Sequence, residues 1–153
     1  MKNSVICADS SLSLKLVIPE SDSPLVRALW KDWQTQLVNV IAPTIWAYEV
    51  TSVIRNKTYR GLIPPDLEEE ILTAAYQLPV RLFRPESLHR RAWELARRFN
   101  RPAAYDMHYL ALAEMADCPF WTADERLFNS VHSELTWVYW LGNAKPKSLK
   151  VEG

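Results

Sequence analysis

Glycine is scarce in this chain, with three residues in 153, and that scarcity excludes flexible Gly-rich linkers. Cysteine is equally sparse. The two present, Cys7 and Cys118, lack metal-ligand spacing and sit in or beside apolar segments, so they read as buried thiols of a cytoplasmic protein. A disulfide between them would require their two strands to be neighbours. Net charge is missing as well: 18 Lys and Arg balance 18 Asp and Glu. No global basic field recruits nucleic acid, and a polyanion must be met by local patches. No apolar run nears the roughly 20 residues of a membrane span, because Lys15, Glu20 and later charges interrupt each candidate. The apolar stretch from Val5 to Ala8 is too short for the core of a secretory signal. No internal repeat is visible. What remains is an ordinary soluble composition, 48% hydrophobic and 24% charged, long enough for one domain with a proper core.

Short apolar runs alternate with helical patterns. Strands are expected at 4–8, 37–42, 80–83, 119–122 and 136–141, and helices at 10–17, from Pro24 past Trp33, from Pro43 to Gly61, after Pro64 and Pro65, and at 85–99, 105–116 and 125–128. Asp22 or Ser23 is expected to cap the second helix, with Pro24 in its first turn. Such alternation predicts an α/β domain over 1–142 with a mostly parallel sheet covered on both faces. Residues 143–153, with Lys145, Lys147 and Lys150, read as a loose basic tail.

Four acids stand out. Asp9 ends the run Val5-Ile6-Cys7-Ala8, and Asp124 ends Phe120-Trp121-Thr122-Ala123. Glu49 shares a helix stripe with Trp46, Val50 and Val53, and Asp106 opens an almost wholly apolar helix. In a parallel sheet, ligand sites lie at the carboxyl ends of the strands. Asp9 and Asp124 follow strands directly, and Glu49 and Asp106 lie in the first turns of helices that run back from that edge, so topology places all four on one rim. Each aspartate also has an ordinary role open to it as a helix N-cap, worth about 1 kcal/mol. Glu49 does not, and an inward carboxylate costs several kcal/mol unless paired or metal-bound. Crowded carboxylates repel and raise one another's pKa. Mg²⁺ or Mn²⁺ relieves this with oxygen ligands, and the chemistry that follows is phosphodiester hydrolysis.

Several segments resemble the PIN-domain nucleases: Val5-Ile6-Cys7-Ala8-Asp9-Ser10-Ser11; Pro43 to Val53 around Glu49; Tyr105-Asp106-Met107-His108-Tyr109-Leu110-Ala111-Leu112-Ala113-Glu114; and Trp121-Thr122-Ala123-Asp124-Glu125-Arg126-Leu127. Order, spacing and length are similar to the toxin half of VapBC-type toxin–antitoxin pairs, over about residues 4–140. His108 and Met107 replace commoner small residues, and the seven tryptophans lie outside the pattern. The resemblance implies a PIN-like fold with a five-stranded parallel sheet and a Mg²⁺- or Mn²⁺-dependent endoribonuclease. It further implies a cognate small antitoxin in the active-site groove, a homodimer and a cytoplasmic location. It assigns Asp9, Glu49, Asp106 and Asp124 to metal binding and catalysis, with Ser10, Thr122 and Asn129 as supporting or phosphate contacts.

Basic residues offer two tracks for RNA, Arg55 with Lys57 beyond Glu49, and Arg97 with Arg98 in the densest basic stretch; each also reads as a plain solvated face. His108, two residues from Asp106, should point away from it. Trp30 and Trp33 read as core, or as a dimer or antitoxin surface if exposed. Two rival functions are a PIN-type RNA-processing nuclease without an antitoxin and a catalytically idle binding module. A receiver-like signalling domain is excluded, since Asp9 stands alone, Arg84 follows the third strand and no Lys ends the last.

Overall fold

The computed structural model describes residues 4–152. Five strands form one all-parallel sheet: β1 Val5–Ala8, β2 Asn39–Pro43, β3 Val80–Phe83, β4 Phe120–Thr122 and β5 Val138–Trp140, in the order β3-β2-β1-β4-β5. Cys7 lies opposite Ile41 on β2 and Phe120 on β4, which fixes β1 at the centre. Among the described residues, seven α-helices accompany them: α1 Ser10–Ser13, α2 Ser23–Thr35, α3 Ile45–Tyr59, α4 Glu68–Tyr76, α5 Leu88–Arg98, α6 Tyr105–Ala116 and α7 Glu125–Val131. This is the α/β architecture with a five-stranded parallel sheet that the alternating pattern predicts.

The central strands are apolar throughout because both faces are covered. Successive side chains go to opposite sides. Cys7, Ile41 and Phe120 join a core with α3, α5 and α6, while Ile6, Ala8 and Val40 join a second one under α2. Tyr109, Leu110 and Met107 of α6 are each exposed by 1% or less. That explains why this helix lacks a polar face: it is the central helix of its layer, apolar all round.

Two alternatives left open by the sequence close, and one detail, the cap of α2, departs from the sequence reading. Trp30 and Trp33 are buried, and their rings meet each other and Trp121, so they are core and offer no partner surface. Asp22 precedes α2 without a side-chain capping bond. Ser23 accepts the Glu20 N–H at 2.8 Å, while Asp22 pairs with Lys15 at 2.9 Å. The cysteines are both buried free thiols.

The tail is also not loose over its first residues. Pro146 is buried, a 3₁₀ turn begins at Lys147, and Asp32 on α2 accepts the Lys147 N–H at 2.6 Å and the Ser148 N–H at 3.1 Å, together with the Ser148 hydroxyl. These bonds, the Ser148 hydroxyl foremost, hold the Asp32 carboxyl below the usual range. A depressed carboxyl stabilises above its unfolded pKa and loses that contribution as pH falls. Asp32→Ala should therefore speed amide exchange at Lys147 and Ser148 while strand amides stay protected; unchanged protection at both would show that Asp32 does not hold the tail.

Candidate active site

The carboxyl end of β1 is where the chain buries a charge. The ladder with β4 continues one residue past the strand, the Asp9 N–H donating to the Trp121 carbonyl at 3.2 Å, and this carries the Asp9 side chain to only 6% exposure. Its Oδ1 accepts the Ser11 hydroxyl at 2.6 Å and the Leu12 N–H at 3.1 Å, and its Oδ2 accepts the Thr122 hydroxyl at 2.5 Å. Asp9 is thus an N-cap of α1 as well as a buried acid. Burial raises its pKa from 3.8 to about 7; the three hydrogen bonds oppose that rise and the Asp106 charge adds to it. Thr122 in turn accepts the Asp124 N–H at 2.9 Å, so one hydroxyl ties the ends of β1 and β4 together.

Glu49 sits in the second turn of α3, half-buried. Its Oε1 accepts the Tyr109 hydroxyl at 2.5 Å and the Ser10 hydroxyl at 3.1 Å. Burial is the main cause of its raised pKa, with Asp106 adding to it and the two hydrogen bonds working against it. Tyr109, almost wholly buried, has its own pKa raised well above 10 by burial and by Glu49. Its phenol therefore stays protonated and serves as a fixed donor.

Asp106 lies in the first turn of α6, and the N-cap position belongs to Ala104. It is not a cap, so its carboxylate is committed elsewhere, 3.6 Å from the Arg101 guanidinium. Burial raises its pKa first and Asp124 second, against Arg101. Asp124 is the N-cap of α7, its Oδ1 accepting the Arg126 and Leu127 N–H groups at 3.0 and 3.2 Å. Asp106 is the acid whose charge raises both Asp9 and Glu49, and its own pKa is raised in part by Asp124. Even so, among the described residues no three His, Cys, Asp or Glu side chains gather round one point as a preformed metal shell. The reason is visible in the bonds: each acid is held by its own hydroxyl, amide or guanidinium. In chemistry the donor set fits a hard divalent cation, being oxygen only, partly desolvated and opposed by one arginine.

A groove of about 540 Å³ opens over this rim, with Glu49, Asp106 and Arg101 in its lining and Tyr48 and Tyr105 on its walls. The remaining candidates lie around it. Ser10 and Thr122 spend their hydroxyls on Glu49 and Asp9. Asn129 is exposed on α7. Arg55 is paired with Glu68 at 2.8 Å, and Lys57 lies 3.5 Å from Glu20. Arg97 stacks over Trp93, and Arg98 reaches Glu134 at 3.7 Å; neither lines the groove. His108 turns to the Ala104 carbonyl at 2.8 Å and to His89 at 3.0 Å. Sequence reasoning missed Ser11 and Tyr109, and it placed Arg101 only within a basic stretch. The hydroxyls carried no signal, since Ser and Tyr are unremarkable in any helix.

The raised pKa of Asp9 sets a pH dependence with a definite sign. An unfolded Asp titrates near 3.9 and the folded one near 7, so in metal-free buffer ionisation destabilises the fold as pH rises between those values. The loss is complete above about 7. At about 1.4 kcal/mol per unit this is on the order of 4 kcal/mol at most. Asp9→Asn should flatten the fall. Millimolar Mn²⁺ should raise the wild-type Tm near pH 8 and leave that of the variant unmoved. A wild-type Tm that holds steady in EDTA across this range would refute the assignment.

No family model and no curated protein matches the chain. Among solved structures it is similar to Mycobacterium tuberculosis VapC20, a sarcin–ricin loop cleaving toxin, at 14% identity and a TM-score of 0.61, covering 82% of this chain and 95% of that one. At that identity the likeness speaks for the fold alone, a PIN-like α/β fold similar to that of VapC20.

Proposed function

We propose that the protein is a metal-dependent endoribonuclease, the toxin of a VapBC-type pair. One observation carries the reading. Asp9 is buried at the end of the central strand with its charge opposed by burial, and Glu49 and Asp106, likewise raised in pKa, share its rim with a single guanidinium. Acids held this way are costly without a cation, and a structural role for all of them is hard to name, since only Asp9 and Asp124 cap helices.

Asp9, Glu49, Asp106 and Asp124 would hold Mg²⁺ or Mn²⁺. Bound there, the ion would lower the pKa of an attacking water and neutralise charge on the scissile phosphate. The chain's own residues do the rest. Thr122 and Ser11 fix the rotamer of Asp9, and Tyr109 and Ser10 fix that of Glu49, so carboxylate oxygens are oriented before any ligand arrives. Arg101, paired here with Asp106, is the cation in the groove lining; released from Asp106, it would hold a phosphate oxygen, leaving the Asp106 carboxylate free to hold the ion. Substrate would be unpaired RNA, whose splayed bases allow sequence selectivity. The same reading brings the small antitoxin in the groove, a homodimer and action in the cytoplasm. No helix among the described residues is long and apolar enough to cross a membrane.

Purified protein should cleave RNA with Mg²⁺ or Mn²⁺ and stop in EDTA, and Asp9→Asn or Asp106→Asn should lower the rate by roughly a hundredfold or more while remaining folded. Cleavage unchanged in either variant would sink the site. Expression of the wild-type chain alone should arrest growth, with rescue by the product of an adjacent small gene; soluble expression without arrest would favour an RNA-processing role.

A further inference from the structure

Each of the two groove acids is preceded in sequence by a tyrosine, Tyr48 before Glu49 and Tyr105 before Asp106. One residue is about 100° of helix, so when the acid turns toward the rim its neighbour turns outward. Tyr48 is 75% exposed and Tyr105 65%, and both line the groove that holds the acids. They stand on different helices, α3 and α6, on either side of it. The groove continues along α3 past Ser52 and Arg55 to Tyr59, which is 80% exposed. The two stretches share Tyr48 and Ser52.

These rings are not explained by the fold. They add little to either core, and tyrosine is a poorer helix former than the Lys, Glu or Arg usual at exposed positions. The charge of the chain supplies a reason for them. With a formal net charge of zero, the protein lacks the basic field that gives most nucleic-acid binders their affinity. Three of its four candidate RNA-binding cations are also committed, Arg55 to Glu68, Lys57 to Glu20 and Arg98 to Glu134. A polyanion bound over a carboxylate floor needs contacts that do not depend on charge, and stacking on an aromatic face is such a contact for any unpaired base. We propose that Tyr48 and Tyr105 form a clamp that stacks unpaired bases of RNA next to the cleaved phosphate. This rests on the nuclease reading and names its recognition element. Duplex RNA, with its bases already stacked on one another, offers the clamp nothing.

The test is binding of a short labelled unpaired RNA of mixed sequence, with Mn²⁺, to the Asp9→Asn protein carrying Ala, Leu or Phe at position 48 or 105, alongside cleavage by the same tyrosine variants with Asp9 intact. Ala and Leu should each weaken binding by about tenfold or more and raise KM for cleavage, and Phe should preserve both. The slope of affinity against salt should not change, because no charge is removed, and the Tm should hold because the rings are exposed. A duplex of the same sequence should bind weakly and respond to none of the substitutions. Wild-type cleavage with Ala variants that bind and cleave equally well would overturn the clamp while leaving the nuclease standing. Ala variants that cleave normally yet are no longer neutralised by the adjacent-gene product would also overturn it, giving the surface to a protein partner. Failure of wild type to cleave and of Asp9→Asn to bind would remove the nuclease reading and the clamp with it.

Discussion

The hydroxyl of Thr122 is the small contact on which the site depends. It donates to Asp9 Oδ2 and accepts the Asp124 N–H, linking the two acids that leave adjacent strands. Both bonds exist because β1 and β4 are neighbours in parallel register, Ala8 opposite Trp121, so the residues just past each strand meet at one level. Take away the hydroxyl and Asp9 loses one of its three donors, the one at Oδ2, while its burial remains. A buried carboxylate with fewer donors costs more to ionise, and the rim would then hold its proton to higher pH.

The second half of the site repeats this logic with a different donor. Glu49 is brought in by α3 and held by Tyr109, 60 residues away in sequence but adjacent through the packing of α6 on the sheet. Tyr109 also lies with its ring 6.0 Å from that of Phe120 on β4, and its backbone carbonyl accepts the Cys7 thiol at 3.6 Å. The residue that orients Glu49 is therefore anchored to both strands that position Asp9 and Asp124. Core and site are not separate layers here. A loss of packing under α6 would reach Glu49 through the phenol before it reached the sheet.

How much of this was legible in the sequence follows from what each kind of residue reports. The strands and their parallel order were legible because apolar runs without alternation mean burial on both faces, and the common edge for the four acids followed from topology. The capping of α7 by Asp124 was legible for the same reason that made it ambiguous: the side chain that caps is the type that binds metal. What stayed hidden was the partner set. Ser11 and Tyr109 act through hydroxyls whose targets are set by side-chain rotamers, and periodicity carries no information on those. The anchoring of the tail by Asp32 was hidden too, since it joins two segments far apart in sequence through a surface carboxylate. The basic stretch of α5 resolves toward the solvated face that its periodicity also allowed. Arg91 goes to Glu114 and Glu94, and Arg98 to Glu134, which is the solvated face of an ordinary helix.

That outcome bears on the electrostatics of the whole rim. With most arginines of α5 spent on nearby glutamates, Arg101 alone is left to lean on the acids, and it does so at 3.6 Å from Asp106, at the loose end of an ion pair. A partly exposed pair of this length contributes little to stability, so the contact is easily given up. Asp9, by contrast, is fixed by three donors and cannot move without unmaking the start of α1. The rim thus combines one rigid acid with one that is weakly tethered. On the proposed reading that asymmetry has a use: Asp9 supplies a fixed oxygen, while the Asp106–Arg101 pair would open to free a carboxylate for a cation and a guanidinium for a phosphate.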